Sequence, residues 1–496
     1  MALDPYILSI DQSTSGTKAI IFDHKARFVA RSNIEHKQIY PRPGWVEHDP
    51  EEIFFNTQEA IREVIKKSGI PAMNIRNISI TNQRETVVIW DRETGKPVYN
   101  AIVWQCMRGE EICNSLREKG WEPLIRKSTG LIIDPYFSAS GLAWILEDQP
   151  ELKRRAEKGE LAAGTMDSWL IWKLTCGRSH FTDHTNACRT LLFNIHMMDW
   201  DYEIMDLFGI PAELLPEPMT SDSIFGFTDA NGILPEVVPI AGVLGDSHAA
   251  LFGQRCFSRG MSKVTYGTGS SVMMNIGSEA LEAPEGLVTS FGYTLKNETA
   301  YVFEGNIHST GATIKWLADS LKILPEPGDS EKIAESVGSS DGVYFIPAFS
   351  GLGAPYWNNS IRACITGITG GTTAAHIVRA GLESIAFQVK DLLDIMAGKA
   401  GIPVKALRVD GGPTANRFLM QFQSDMLDTP VQVSNIEEAS ALGAALAGGL
   451  GTGIWSSTEE LEALYDSRMT VNPEMSQHTR NHLYKGWNKA VRQQLK

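Results

Sequence analysis

The sequence predicts an α/β protein built from two similar halves that face a shared cleft. Three observations carry this. Residues 7–23 set two apolar runs, 7–10 and 19–22, around a Ser/Thr/Gly segment, the pattern of a β-hairpin. The pattern returns at 262–276, where two runs flank Gly267-Thr268-Gly269-Ser270. At 496 residues the chain is long enough for two large domains. The boundary is expected near residue 253, giving domains 1–253 and 254–496.

In order, the first hairpin has a tip at 12–18, and residues 26–35 continue as a third strand. Asp49, Pro50, Glu51 and Glu52 signal a helix start, and Gly69 and Pro71 its end. Ile53, Thr57, Ile61, Val64 and Ile65 give it an inner face. Strands are expected at 75–81, 87–90 and 100–106, helices to about 178, and loops to about 238. Residues 239–244 read as a buried strand that delivers Gly245-Asp246-Ser247-His248, with a helix at 249–253. After the second hairpin, Gly311 opens a helix. Residues 406–410 form a strand that turns at Gly411-Gly412 into a helix at 415–427, whose N-terminus is a ready anion or nucleotide site.

Composition narrows the function. A formal net charge of −14 argues against nucleic acid as the partner. The six cysteines, at 106, 113, 176, 188, 256 and 364, show no zinc or redox spacing. The N-terminus enters a strand at once, and no apolar stretch is long enough to span a bilayer. A cytoplasmic protein is expected.

Several residues could carry chemistry. The tip with Thr14, Ser15, Gly16 and Lys18 offers hydroxyls, amides and an ammonium to a polyphosphate; the alternative is an ordinary polar hairpin. Asp11 at the strand end could hold Mg²⁺. Arg84 and Glu85 could address a polyhydroxyl ligand or form a solvated loop. Trp104 could pack on a polyol or in a core, and Tyr136 could donate one hydrogen bond. Asp246 could take a proton from an alcohol or cap a helix.

Seven segments in one order carry a resemblance: Asp11-Gln-Ser-Thr14, Thr81-Asn-Gln-Arg84-Glu85-Thr, Val103-Trp104-Gln-Cys, Ile133-Asp-Pro-Tyr136-Phe, Tyr266-Gly-Thr268-Gly, Pro347 to Trp357, and Val409-Asp-Gly-Gly412. Together they resemble the FGGY carbohydrate kinases over nearly the whole chain, most of all the members that phosphorylate glycerol. The resemblance implies two duplicated actin-like (ribonuclease H-like) domains and ATP-dependent, Mg²⁺-assisted phosphorylation of a primary alcohol. It implies that Thr14, Ser15, Gly16, Lys18 and Thr268 face the phosphates. Gly311, Lys315, Gly412 and Asn416 would line the nucleotide. Arg84, Glu85, Trp104, Tyr136, Asp246 and Ser247 would hold the polyol, with Asp246 as the base.

The chain departs from the pattern in places. Ser247 stands where Gln is usual, Ser271 where Phe is usual, and Lys18 where Arg is common. The two serines imply a roomier, more polar pocket, so erythritol, ribulose or xylulose are alternatives to glycerol. A nucleotide-switched protein on the same fold is the alternative of another class. The loop that binds a feedback sugar bisphosphate in some bacterial members is replaced by residues 231–237, so no such inhibition is expected. Family members are often oligomers, so a homo-oligomer is possible.

Overall fold

The computed structural model describes residues 4–436 and 438–495. Two mixed sheets dominate it. The first contains β1 (Tyr6–Gln12), β2 (Gly16–Asp23), β3 (Phe28–Glu35), β4 (Ile75–Asn82), β5 (Ile224–Thr228) and β6 (Val238–Gly245), in the order β5-β6-β4-β1-β2-β3. The second contains β7 (Met261–Tyr266), β8 (Ser270–Gly277), β9 (Val288–Leu295), β10 (Glu298–Ile307), β11 (Ala406–Asp410), β12 (Val431–Ser434) and β13 (Ser467–Val471), in the order β9-β10-β8-β7-β11-β12-β13.

The repeat goes deeper than the hairpins. In each sheet three antiparallel strands are followed by two that run parallel to the first: β3-β2-β1-β4-β6 and β10-β8-β7-β11-β12. The same order and directions recur, which is the duplicated actin-like architecture the resemblance implied.

The helices follow local signals. In α1 (Pro50–Ser68), Asp49 accepts from the Glu51 amide at 2.9 Å, and Gly69 closes the helix at φ +68°. Ile53, Thr57, Ile61 and Val64 are buried against the first sheet, while Ile65 is only partly covered. Near the cleft lie α2 (Asp246–Gly253), α3 (Gly311–Asp319), α4 (Ala374–Ala400), α5 (Arg417–Leu427) and α6 (Ala439–Gly451).

The halves interlock through two of these. Helix α6 lies on the first sheet, where Ser9 Oγ donates to the Ala441 carbonyl at 2.7 Å. It crosses α2 so closely that a Cβ at Gly443 would stand 1.8 Å from the Ala249 carbonyl oxygen, and one at Gly253 would stand 2.1 Å from that of Ala439. Only glycine permits such an approach. Ile7, Ile20, Phe22, Phe252, Tyr293 and Leu446 share the apolar cluster around this crossing.

Some expected elements differ. The first hairpin is tighter than its polar tip suggested: strand pairing runs to Gln12 and resumes at Gly16, leaving Ser13–15 as the loop. The strand expected at 100–106 is only Ala101–Ile102, because the Cys106 amide turns back onto the Val103 carbonyl at 2.8 Å. Loops fill about half of the stretch to 238, as expected, and short elements fill the rest. These include the strand Phe181–Asp183 and the helices His184–Ala187 and Tyr202–Phe208, each too short for periodicity to reveal. Helix α2 begins at Asp246 rather than 249. The Gly-Gly turn continues as a 3₁₀ turn, Gly412–Ala415, which delays α5 to Arg417. No helix among the described residues is long and apolar enough to cross a membrane.

Candidate active site

The site grows from strand register. In the parallel pairs Asp11 lies beside Thr81, and Asn82 beside Gly245. The carboxyl ends of β1, β4 and β6 are therefore level, and Asp11, Arg84, Glu85 and Asp246 emerge at one edge. Open α/β sheets bind ligands at that edge.

After β4 the chain makes a tight turn, with the Thr86 amide bonded to the Arg84 carbonyl at 2.7 Å. Its central residue, Glu85, sits at φ +63°. That conformation costs a non-glycine residue on the order of 1 kcal/mol or more and concentrates at functional sites. Here it sends two adjacent opposite charges inward rather than to solvent. Both side chains are buried.

Their partners come from elsewhere. Arg84 forks onto Glu304, with Nη2 to Oε1 at 2.9 Å and Nη1 to Oε2 at 3.2 Å. Arg189 links both acids, donating from Nε to Glu85 Oε1 and from Nη1 to Glu304 Oε2, each at 2.7 Å. Burial pushes the Glu304 carboxyl up, but the two guanidiniums outweigh it and hold it far below the carboxylate range. Burial raises the Glu85 carboxyl against the pull of Arg84 and Arg189. Two cations and two anions balance, as a buried ionic cluster requires.

Asp246 stands at the open rim. Its side chain is 41% exposed and lies 3.1 Å from Arg84 Nε. That approach is off the line of the N–H, so the Arg84 Nε–H has no aligned acceptor. Asp246 Oδ1 accepts the Ser247 amide at 2.6 Å, which fixes the carboxylate on the first turn of α2. Trp104 and Tyr136 form the opposite wall edge-to-face, with ring centroids 5.5 Å apart. Trp104 Nε1 donates to Thr14 Oγ1 at 3.0 Å, tying this wall to the first hairpin. A cavity of about 450 Å³ opens beside the Arg189–Glu304 pair, lined by Trp104, Tyr136, Arg189 and Glu304 among others; Arg84, Glu85 and Asp246 border it without lining it.

The residues expected to face phosphate lie at the same edge. Lys18 Nζ is 2.7 Å from Glu438 Oε2 and 3.9 Å from Asp11 Oδ2. Glu438 belongs to the second half and also pairs with Arg31. Burial pushes Asp11 up to about 7; Lys18 opposes this, and Glu438 and Asp246 add to it. Such a carboxylate is short of positive charge, which fits a hydrated Mg²⁺ held together with phosphate oxygens. Ser15 is exposed at the tip and Thr14 partly so. Gly16 is required, since a Cβ there would lie 2.8 Å from the Ile34 carbonyl oxygen.

Across the cleft, the second tip carries Thr268, exposed to solvent. Its carbonyls cap α3: the Gly311 amide bonds to Gly267 O at 3.0 Å and the Ala312 amide to Thr268 O at 3.1 Å. A second cavity, about 330 Å³, is lined by Gly311, Ile314, Ser330, Leu382, Gly412 and Asn416. At Gly412 a Cβ would meet nothing within 4 Å, so bare backbone faces this space, as a nucleoside needs.

Two expectations change. Lys315 points to solvent, 3.8 Å from Asp319 on the next turn, and does not line this cavity. The N-terminus of α5 is not open to an anion: Asn416 Oδ1 accepts the Leu419 amide at 2.8 Å, and Glu331 takes the Arg417 amide at 2.7 Å. Arg189, Glu304 and Glu438 are absent from the residues singled out by sequence. Only Glu304 left a signal, as a carboxylate directly after the apolar run 300–303 of β10.

The described residues contain no group of three or more His, Cys, Asp or Glu side chains arranged for a metal. A cation here would share its oxygens with phosphate and water.

Comparison with known proteins adds the following. Residues 6–253 match the N-terminal domain, and residues 262–452 the C-terminal domain, of the FGGY family of carbohydrate kinases. Glycerol kinase 1 of Thermotoga maritima is 52% identical over 99% of each chain. Glycerol kinase of Klebsiella pneumoniae subsp. pneumoniae is 49% identical over 99% of this chain and 97% of its own. The crystal structure of Plasmodium falciparum glycerol kinase with ADP superimposes with a TM-score of 0.94 at 39% identity, covering 99% of both chains. A xylulose kinase from Lactobacillus acidophilus shares the fold, with a TM-score of 0.86 at 20% identity over 97% of this chain and 96% of its own.

Proposed function

The chain belongs to the FGGY family of carbohydrate kinases, and from that premise we propose that it moves the γ-phosphoryl group of ATP onto a primary hydroxyl of a small polyol, converting glycerol to sn-glycerol 3-phosphate. The observation that carries the reading is the contrast within the charged cluster. Arg84, Glu85, Arg189 and Glu304 are almost wholly buried and paired with one another, whereas Asp246 keeps an open face beside Arg84. A base must reach its substrate, and this carboxylate can. The glycerol kinases at 49–52% identity over the whole chain support the same substrate.

In this scheme Glu85 accepts from, and Arg84 donates to, hydroxyls of the triol, while Trp104 covers its carbon face. The Asp246 carboxylate takes the proton of the terminal hydroxyl as its oxygen attacks the γ-phosphorus. The bond to the bridging oxygen breaks and ADP leaves. Lys18, Thr14, Ser15, Gly16 and Thr268 neutralise and orient the phosphates, and Gly311, Gly412 and Asn416 border the nucleoside. Asp11 would hold Mg²⁺, which when bound offsets phosphate charge. Positioning and charge neutralisation are the larger part of such catalysis. The first 253 residues would serve the polyol and the phosphates, and the remainder the nucleotide.

The test is ADP release from Mg-ATP with and without glycerol, with glycerol 3-phosphate identified as the product. An ADP rate that glycerol leaves unchanged would sink the proposal.

A further inference from the structure

Beside the Arg84–Glu304 pair the second sheet carries a polar row, of which Asn306 lines the cavity. Register sets Thr265 opposite Ser271 on β7 and β8, and Ser271 opposite Asn306 on β8 and β10. Directly paired residues share a face of the sheet. The next row on that face runs Lys263–Met273–Glu304. The Thr265–Ser271–Asn306 row therefore lies on the face that Glu304 uses to meet Arg84.

Two members of this row are supported from behind. Lys263 is fully buried and donates to Thr265 Oγ1 at 3.2 Å and to Ser271 Oγ at 3.3 Å. The third is not: the Asn306 side-chain amide bonds to none of the described residues, yet Asn306 lines the cavity. Past it, His308 and Trp357 close the wall edge-on, with centroids 6.2 Å apart. At about 450 Å³ the cavity lies within the ~300–1,000 Å³ typical of pockets for drug-sized ligands. A three-carbon triol fills a small part of that. A ligand that reaches this amide gains a hydrogen bond that a shorter one leaves to water.

We propose that Asn306 is a specificity-determining residue and that the acceptor site extends along it, taking linear polyols of four or five carbons in addition to glycerol. The reacting terminal hydroxyl stays at Asp246 and Arg84, and the transfer is the same: its oxygen bonds to the γ-phosphorus, its proton passes to Asp246, and ADP departs. The outer hydroxyls bond to the Asn306 amide and reach toward the Ser271 hydroxyl. This inference rests on the kinase reading above.

The experiment compares kcat/KM of the full chain with Mg-ATP for glycerol, erythritol, ribitol and xylitol. It then repeats the series with Asn306→Ala and Ser271→Phe. At least one longer polyol is expected within tenfold of glycerol. Each variant should lower the ratio of that polyol to glycerol by about tenfold, the first by removing its partner and the second by filling its space. The inference is overturned if glycerol leads every longer polyol by more than tenfold, or if neither variant moves the ratio. Should a variant fail to fold, the wild-type comparison alone decides. A chain inactive on glycerol would refute the glycerol reading and this inference together, whereas a chain active on glycerol alone would refute only this inference.

Discussion

Replacing Arg189 by methionine tests the cluster where its balance is most exposed. Arg189 is the contact partner of Glu85 and one of two for Glu304. Glu304 would keep Arg84, but Glu85 would have no cation at contact distance, and the four-residue cluster would change from neutral to a net −1. Removing one partner of a buried ion pair costs about 3–5 kcal/mol of stability, read as a lower urea midpoint. Glu85 is already pushed up by burial and would relieve its isolation by taking a proton. It would then lose a charged hydrogen bond to the substrate, worth about 1.5–3 kcal/mol, or roughly 10- to 150-fold in kcat/KM. The loss should fall on the polyol and spare ATP, so the assay varies each substrate with the other saturating. Arg189→Lys should lie between, since it keeps the charge but not the fork. A methionine variant within threefold of wild type for the polyol, with an unchanged urea midpoint, would refute the argument that Arg189 orders Glu85.

Four further outcomes are expected. Asp246→Asn should nearly abolish transfer while leaving ATP binding intact by calorimetry, and near-normal turnover would remove Asp246 as the base. Lys18→Met should lower kcat by about 10²–10³, the scale for losing a preorganised charge-stabilising donor, with little change in polyol KM. Gly411→Ala should impair folding, because its φ is +95° and a Cβ would lie 1.9 Å from the Tyr266 carbonyl oxygen; the neighbouring Gly412→Val should fold normally and raise the KM for ATP, its added methyls entering open space. Fructose bisphosphate should leave the steady-state rate unchanged, since residues 231–237 lack a cluster of cations.

What the sequence disclosed depended on how local the signal was. The hairpins, α1 with its Asp49 cap, and the Gly411-Gly412 turn were legible because neighbouring residues dictate them. Arg84, Glu85 and Asp246 were legible as candidates because each follows a strand, and strand ends at a sheet edge are where ligands bind. Arg189 was not, since its role is set by partners 104 and 115 residues away. It also lies between elements too short to show a period. Lys315 differs in another way: its place in the chain suggested the nucleotide, but its turn of α3 faces solvent. Asn416 kept its place beside the cavity while its carboxamide oxygen went to capping α5.

The crossing of α2 and α6 bears on how the cleft works. Backbone rests on backbone there, at Gly443 against Ala249 and at Gly253 against Ala439, with a glycine rather than a side chain at each of these two points. Interdigitated side chains would have to disengage and repack for one half to turn on the other. Smooth surfaces can pivot like a bearing. Asp246 begins α2, close to the pivot, so rotation would carry it only a short way. The Thr268 tip lies at the cleft mouth and would sweep a wider arc. The acceptor end of the reaction would stay nearly fixed while the donor end swings in, so that alignment is completed only when both substrates are present and water has been displaced.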